Sequence, residues 1–81
     1  MTPFGLARKV SAGLKTLQLK TEVGTYSNGE AYVRVFRALK RRRGEVLAYD
    51  SMGLITINPS TLRVTVEHDS DPELFALFKG M

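Results

Sequence analysis

The sequence predicts an α+β domain with an N-terminal helix, a five-stranded antiparallel meander curled into a small half-open barrel, and a short C-terminal helix. Apolar residues first recur at a helical spacing and then alternate with polar residues through the middle of the chain. Tight turn signals separate the successive strands, which indicates antiparallel neighbours. The 81 residues suffice for one hydrophobic core, so residues 1–81 are expected to form a single domain.

The first helix is predicted to run from Pro3 to Thr16. The Thr2 hydroxyl can cap its first turn, and proline fits the first helical position because no N–H is needed there. One face of the helix is apolar because leucine or valine recurs every three or four positions, at Leu6, Val10, Leu14 and Leu17. This face is expected to pack on the sheet.

A hairpin is the clearest local feature of the sequence. Two alternating runs, Leu17–Thr25 and Ala31–Leu39, flank Ser27-Asn28-Gly29, which suits a three-residue loop with Gly29 left-handed. A two-residue Asn28-Gly29 turn would mix apolar and polar faces, so the three-residue loop is favoured. The resulting pairs are Tyr26 with Glu30, Gly24 with Tyr32, Glu22 with Arg34 and Lys20 with Phe36 on one face, and Val23 with Val33, Thr21 with Val35 and Leu17 with Leu39 on the other.

The rest of the chain divides into short strands and turns before a final helix. Glycine, proline and asparagine mark the breaks between its apolar runs. We expect a loop at Lys40–Gly44, a strand at Glu45–Tyr49, a turn at Asp50–Gly53, a strand at Leu54–Ile57, a turn at Asn58–Thr61, a strand at Leu62–His68, and a helix from Pro72 to Lys79 that is capped by Asp71.

Positive charge is concentrated in the first half of the chain. Residues 1–43 carry a net charge of +8 and residues 44–81 a net charge of −4, an asymmetry that bears on partners rather than on fold. Cysteine is absent, and the acid-poor start has few hydroxyl residues and is interrupted by Arg8 and Lys9. We therefore expect no transit peptide or secretory signal and a cytoplasmic location. No apolar run reaches the roughly 18 residues of a membrane-spanning helix, so a membrane partner is not expected.

Catalytic and metal-binding residues are not indicated. The single histidine, His68, has no nucleophile or carboxylate pattern around it, so an enzyme is not expected. Glu67, His68, Asp69 and Asp71 form a cluster of the type that Mg²⁺ or Mn²⁺ accepts, but acids before a proline-led helix are better explained as caps. No glycine pattern of a nucleotide-binding loop occurs, so neither a cofactor nor a metal is expected.

Nucleic acid is the partner that the sequence favours, with DNA and RNA left open. A run of four cations can neutralise phosphates, and aromatic rings on the preceding strand can stack on bases. Little sequence specificity is expected, because these contacts do not read base edges. The candidate residues are Tyr32, Arg34, Phe36, Arg37, Lys40, Arg41, Arg42 and Arg43.

Alternative interpretations of the same residues remain open. The cationic run can be a solvated loop that protects a sheet edge, and the two rings can be core residues, with Tyr32 covering Gly24. The charge asymmetry also fits a protein-interaction module, such as an accessory, inhibitory or assembly protein, docking an acidic partner or forming a homo-oligomer. A single cationic surface requires the first helix and the second strand to lie side by side, and placement on opposite sides would weaken the nucleic-acid hypothesis.

Overall fold

The computed structural model of the chain describes residues 2–43 and 45–79, with only the backbone at positions 40–42, 45–47 and 79. The strands form one antiparallel sheet in which each strand pairs with the next along the chain. The prediction of an α+β chain with a helix at each end is confirmed. The elements are α1 (Pro3–Lys15), β1 (Lys20–Thr25), β2 (Ala31–Arg42), β3 (Glu45–Ile57), β4 (Val64–Val66) and α2 (Pro72–Lys79).

Five strands and a half-open barrel are not confirmed, because the described residues form an open sheet of four strands. The turn predicted at Asp50–Gly53 is wrong, since these residues lie inside β3. Gly53 has φ +146° and pairs with Val35, next to a shift in register between β2 and β3. Glycine at this point lets the strand absorb an extra residue as a bulge and continue instead of reversing.

The loop predicted at Lys40–Gly44 is also wrong for most of its length. β2 continues to Arg42, whose Cα partner is Glu45, and only Arg43 of the described residues lies in the turn. Gly44 lies outside the described residues. Consecutive cations do not break a strand when the opposite strand satisfies the backbone, so the charged run extends the hairpin.

The hairpin between β1 and β2 has the predicted register. Val23 pairs with Val33 and Lys20 with Phe36, and the Tyr26 N–H donates to the Glu30 carbonyl at 2.8 Å. Gly29 has φ +92°, as the three-residue loop requires. The loop chemistry therefore decides which side chains of both strands share a face.

The pair predicted between Leu17 and Leu39 is wrong. α1 ends at Lys15, and Leu17 lies in the turn that follows it, where 49% of the residue is exposed. Leu39 is 57% exposed. The chain needs this turn to pass from the helix into β1, so β1 begins three residues later than the alternation suggests.

The inner face of the sheet, which carries Val33, Val35 and Ile55, holds the hydrophobic core with α1. The Thr2 hydroxyl accepts from the Gly5 N–H at 2.9 Å, which confirms the predicted cap. Leu14 is fully buried against the sheet. Burial of one large aliphatic side chain stabilises the fold by about 1.5–3 kcal/mol, so this cluster fixes the helix on one side of the sheet.

The end of the chain runs along the outer edge of β3. β4 spans only Val64–Val66, shorter than the predicted Leu62–His68, because Leu62 adopts φ +59° in the preceding turn. The Asp71 N–H donates to the Met52 carbonyl at 2.7 Å. Asp71 Oδ1 accepts from the Glu73 N–H at 2.9 Å, so the predicted cap of α2 is confirmed.

The β2–β3 hairpin projects beyond the rest of the sheet. β1 pairs with β2 only as far as Phe36, and β4 pairs with β3 only at Ile55–Ile57. Residues 37–42 and 45–50 are therefore the strands of a two-stranded ribbon, called here the basic arm together with Arg43. Its five residue steps correspond to about 17 Å at the usual rise of a strand. The overall dimensions of 44 × 21 × 20 Å agree with such a projection.

Candidate nucleic-acid interface

The outer face of the sheet, opposite α1, carries alternate residues of β1 and β2. Because Val33 and Val35 point into the core, the neighbouring Tyr32, Arg34 and Phe36 point away from it. Arg34 is exposed, and both rings are half-buried rather than part of the core. The structure thus brings these three predicted site residues together on one uncovered face.

Aromatic rings and cations alternate across this face. The Arg34 guanidinium carbon lies 5.4 Å from the centre of the Tyr32 ring, and the Lys20 ammonium lies 5.8 Å from the centre of the Phe36 ring. The Tyr26 and Tyr32 rings are 4.8 Å apart and tilted by 32°. These rings and cations of the outer face, together called the aromatic–cation row, are Lys20, Tyr26, Tyr32, Arg34, Phe36 and Tyr49.

The predicted pairing of Glu22 with Arg34 has the expected register but forms no ion pair among the described residues. Arg34 instead lies over the Tyr32 ring. A cation at an exposed ring gains about 0.5–1 kcal/mol, similar to an exposed ion pair. This arrangement leaves the guanidinium N–H groups available to a ligand.

Tyr32 also covers Gly24, as one of the alternative interpretations expected. A Cβ atom at Gly24 would lie 2.7 Å from Cε2 of the Tyr32 ring. The Tyr32 ring thus occupies the space that a side chain at position 24 would fill. The residue remains only half-buried, so this structural role and a binding role are compatible.

Tyr49 belongs to the same face, although the sequence analysis did not select it. Lys20 Nζ lies 4.5 Å from the centre of the Tyr49 ring. The Tyr49 residue is 44% exposed. Tyr49 is the Cα partner of Ala38, which places its ring on the same face as Phe36. Alternation beyond the cationic run is the signal that would have placed it.

Arg37 is separated from the aromatic–cation row. It pairs with Asp71 and Glu73 of the α2 start and with Asp50 of β3, at 3.3 Å for Glu73 and 3.8 Å for Asp50. Its Nε atom is buried and makes no hydrogen bond within the described residues. With three carboxylates around it, Arg37 joins α2 to the base of the basic arm, and its charge is already balanced.

Three of the predicted site residues, Lys40, Arg41 and Arg42, have side chains outside the described residues. Their backbone forms the distal part of β2, opposite Ala48, Val46 and Glu45. Arg43 is exposed in the turn with φ +54°. The four cations therefore occupy the far end of the basic arm.

The cations of α1 lie on the other side of the sheet. Arg8 and Lys15 flank a groove of ≈ 340 Å³ between α1 and β1, together with Phe4 and Val23. In the described part of the chain, neither cation is paired with a carboxylate. The requirement for one continuous cationic surface is therefore not met, and two separate surfaces result.

A shallow depression of ≈ 550 Å³ lies where the outer face meets the segment before α2. It is lined by Arg34 and Phe36, by β3 around Gly53, and by Asp69 and Asp71. Among residues 2–43 and 45–79, the side chain of Asp69 makes no hydrogen bond or ion pair, whereas Asp71 is bound to Arg37 and to the first turn of α2. The depression is thus open, and one of its two carboxylates has no partner among the described side chains.

Family models, curated proteins and solved structures were compared with the chain. None matches.

The remaining candidate residues are dispersed. His68 lies in an exposed turn after β4. The part of the chain that the structure describes holds no group of three His, Cys, Asp or Glu side chains able to bind a metal ion. Within the same residues, neither helix is long and apolar enough to cross a membrane.

Proposed function

We propose that this protein binds single-stranded nucleic acid, without catalysing a reaction, on the outer face and the basic arm. The observation that carries the proposal is the aromatic–cation row, in which Tyr32 and Phe36 flank Arg34 on an uncovered sheet face. Sheets that bind single strands use this combination, because rings stack on bases of any sequence while cations follow the backbone.

Each part of the surface has a separate role in this proposal. Phe36 and Tyr32 are four residues apart on one strand, about 13 Å, and accept bases that are splayed from the backbone. Lys20 contacts a phosphate beside them, and the N–H groups of Arg34 lie between the two stacking positions. The basic arm supplies further phosphate contacts from Lys40, Arg41, Arg42 and Arg43, so that affinity rises with strand length and falls with salt.

The arm also suits a polynucleotide partner in shape. Its four cations lie on the distal part of the two-stranded ribbon, away from Asp50 at its base, so they can follow the backbone of a single strand that extends beyond the outer face. Arg37 does not contribute to affinity, since Asp50, Asp71 and Glu73 balance its charge. The site proposed here therefore omits Arg37 and includes Lys20 and Tyr49.

Replacing Arg41, Arg42 and Arg43 together by alanine tests the arm. Each lost phosphate contact lowers the slope of log affinity against log salt by about 0.7 for a single strand, so the slope is expected to fall by about 2. Binding of a fluorescent thymidine octamer is titrated at several salt concentrations.

The triple variant with alanine at Arg8, Lys9 and Lys15 is the matched control, because it removes the same charge from α1. Its salt slope is expected to stay close to that of the parent protein. Equal slopes for the parent and the arm variant would contradict the role of the arm, and absence of any binding would contradict the proposed function.

A second candidate function is self-assembly through the groove between α1 and β1. Its specific support is the pair of cations at Arg8 and Lys15, which line the groove together with Phe4, a residue that is 42% exposed. The complementary surface is the acidic segment that ends the sheet, where Asp69 is exposed. Joining the groove of one copy to the segment of the next is a head-to-tail contact, which forms rings or filaments.

Charge exchange tests this second candidate. Both the R8E/K15E variant and the E67K/D69K variant are expected to sediment as monomers, because each loses one half of the contact. Mixing them is expected to restore pairing, since the acidic groove then meets a basic segment. A parent protein that stays monomeric at low salt in analytical ultracentrifugation would refute self-assembly.

A further inference from the structure

The depression beside Phe36 combines three chemically different groups at the border of the outer face. Phe36 supplies a ring, Arg34 supplies guanidinium donors, and Asp69 supplies a carboxylate. No ion pair joins Arg34 to Asp69 in the described part of the chain, so neither group is neutralised by the other. The volume of ≈ 550 Å³ exceeds what a single nucleobase requires.

The carboxylate of Asp69 is unexpected in a site for a polyanion. It would repel a phosphate. Among the described side chains it makes no contact like those by which Asp71 caps α2 and binds Arg37. An acid next to a stacking ring instead suits the edge of an uncharged base that presents N–H groups. Two parallel N–H donors are the best match to a carboxylate, because both oxygens are then used.

Guanine is the base that fits both groups at once. Its N1–H and N2–H₂ groups are adjacent donors for a carboxylate, and its O6 and N7 atoms are adjacent acceptors for arginine. Adenine and cytosine each offer one donor beside an acceptor on their pairing edges. Thymine and uracil flank their single N–H with carbonyl groups, which a carboxylate repels.

We propose that this depression is a single-nucleobase pocket that prefers guanine, with Phe36 stacking on the base, Asp69 accepting from N1–H and N2–H₂, and Arg34 donating to O6 and N7. The proposal rests on the proposed function, since the base arrives as part of a bound strand. It adds a specific position to a surface whose remaining contacts are independent of sequence. A strand with one guanine is then held in one register.

Base substitution in a single oligonucleotide provides the test. A thymidine octamer is compared with octamers in which one central base is guanine, adenine or cytosine, and binding is followed by fluorescence anisotropy. The guanine octamer is expected to bind roughly tenfold more tightly than the others, the effect of one good bidentate contact. Hypoxanthine, which lacks the N2 amine, and 7-deazaguanine, which lacks N7, are each expected to lose most of this preference.

The variant Asp69→Asn tests whether the carboxylate of Asp69 causes the guanine preference. It is expected to bind all four octamers with similar affinity and to bind the thymidine octamer at least as tightly as the parent protein. Asp50→Asn is the control, because it removes the same charge from the base of the basic arm and is expected to keep the guanine preference.

The outcomes separate the two proposals. Salt-dependent binding with equal affinity for all four octamers, or a preference unchanged in Asp69→Asn, would overturn the guanine pocket and leave the proposed function standing. Absence of binding to every octamer would overturn both. Guanosine monophosphate is the final probe, and displacement of the octamer at a similar concentration would overturn the assignment to a strand in favour of a free nucleotide.

Discussion

The double variant Tyr32→Ala/Phe36→Ala is expected to bind a thymidine octamer about 100-fold more weakly than the parent protein, with little change in salt slope. Stacking of one base on an aromatic side chain contributes about 1–3 kcal/mol, and two rings are lost. The cations are untouched, so the number of neutralised phosphates stays nearly constant. Fluorescence anisotropy at several salt concentrations measures both quantities.

Two controls accompany this experiment. The Tyr32→Phe/Phe36→Tyr variant keeps both rings and is expected to bind within a few-fold of the parent protein. Phe4→Ala removes an exposed ring from the α1 side of the sheet and is expected to leave affinity unchanged. If Phe4→Ala weakened binding as much as the double variant, stacking on the outer face would be refuted.

Local chemistry explains why the first hairpin was predicted correctly. The Ser27-Asn28-Gly29 loop sets the pairing of the two strands, and alternation then assigns every side chain to a face. The loop residues and the alternating pattern both lie within about twenty consecutive residues, so neither depends on a distant part of the chain. The β2 residues of the aromatic–cation row, Tyr32, Arg34 and Phe36, could therefore be predicted.

The remaining strands were misjudged because the same residue types occur in turns and in bulged strands. Asp50-Ser51-Met52-Gly53 has the composition of a tight turn, but the backbone partners on β2 keep it extended. The cationic run Lys40–Arg43, which is followed by glycine, likewise has the composition of an exposed loop. In both segments, backbone pairing between β2 and β3 decides that the chain stays extended. The residues next to each segment in the sequence do not reveal this pairing.

Arg37 shows that the sequence around a cation does not reveal whether its charge is balanced in the fold. Its position in the strand suggested a phosphate contact, yet Asp71 and Glu73 lie more than thirty positions later in the chain and balance its charge. A charge is available to a ligand only when the fold brings no opposite charge to it. The same reasoning, applied to Asp69 without a partner in the described residues, singles out the depression beside Phe36.

Gly53→Ala is expected to lower the free energy of unfolding by about 3 kcal/mol or more, because it combines two costs. Alanine at φ +146° is strained by about 1–3 kcal/mol, and overpacking at a tight contact adds a similar amount. The added methyl group would overlap the hydroxyl of Ser70 and lie 3.0 Å from its Cα. Urea unfolding followed by circular dichroism measures the change.

Ser70 has little freedom to move away from such a methyl group. The residue is buried, and its hydroxyl accepts from the Leu54 N–H at 3.2 Å. The next residue, Asp71, is anchored by its N–H to the Met52 carbonyl and by its carboxylate to Arg37. The contact therefore ties the bulge in β3 to the start of α2 and to the base of the basic arm.

Gly24→Ala is the matched control, since its methyl group meets only the far end of the Tyr32 side chain, which can rotate away. It is expected to cost less than about 1 kcal/mol, with a larger effect on stacking than on stability. The double variant Gly53→Ala/Ser70→Gly is expected to be more stable than the sum of its single changes, because the overlap is partly relieved. If the changes in the free energy of unfolding were additive, the overlap with Ser70 would not be the source of the strain. The bulge would then have to tolerate a side chain at position 53.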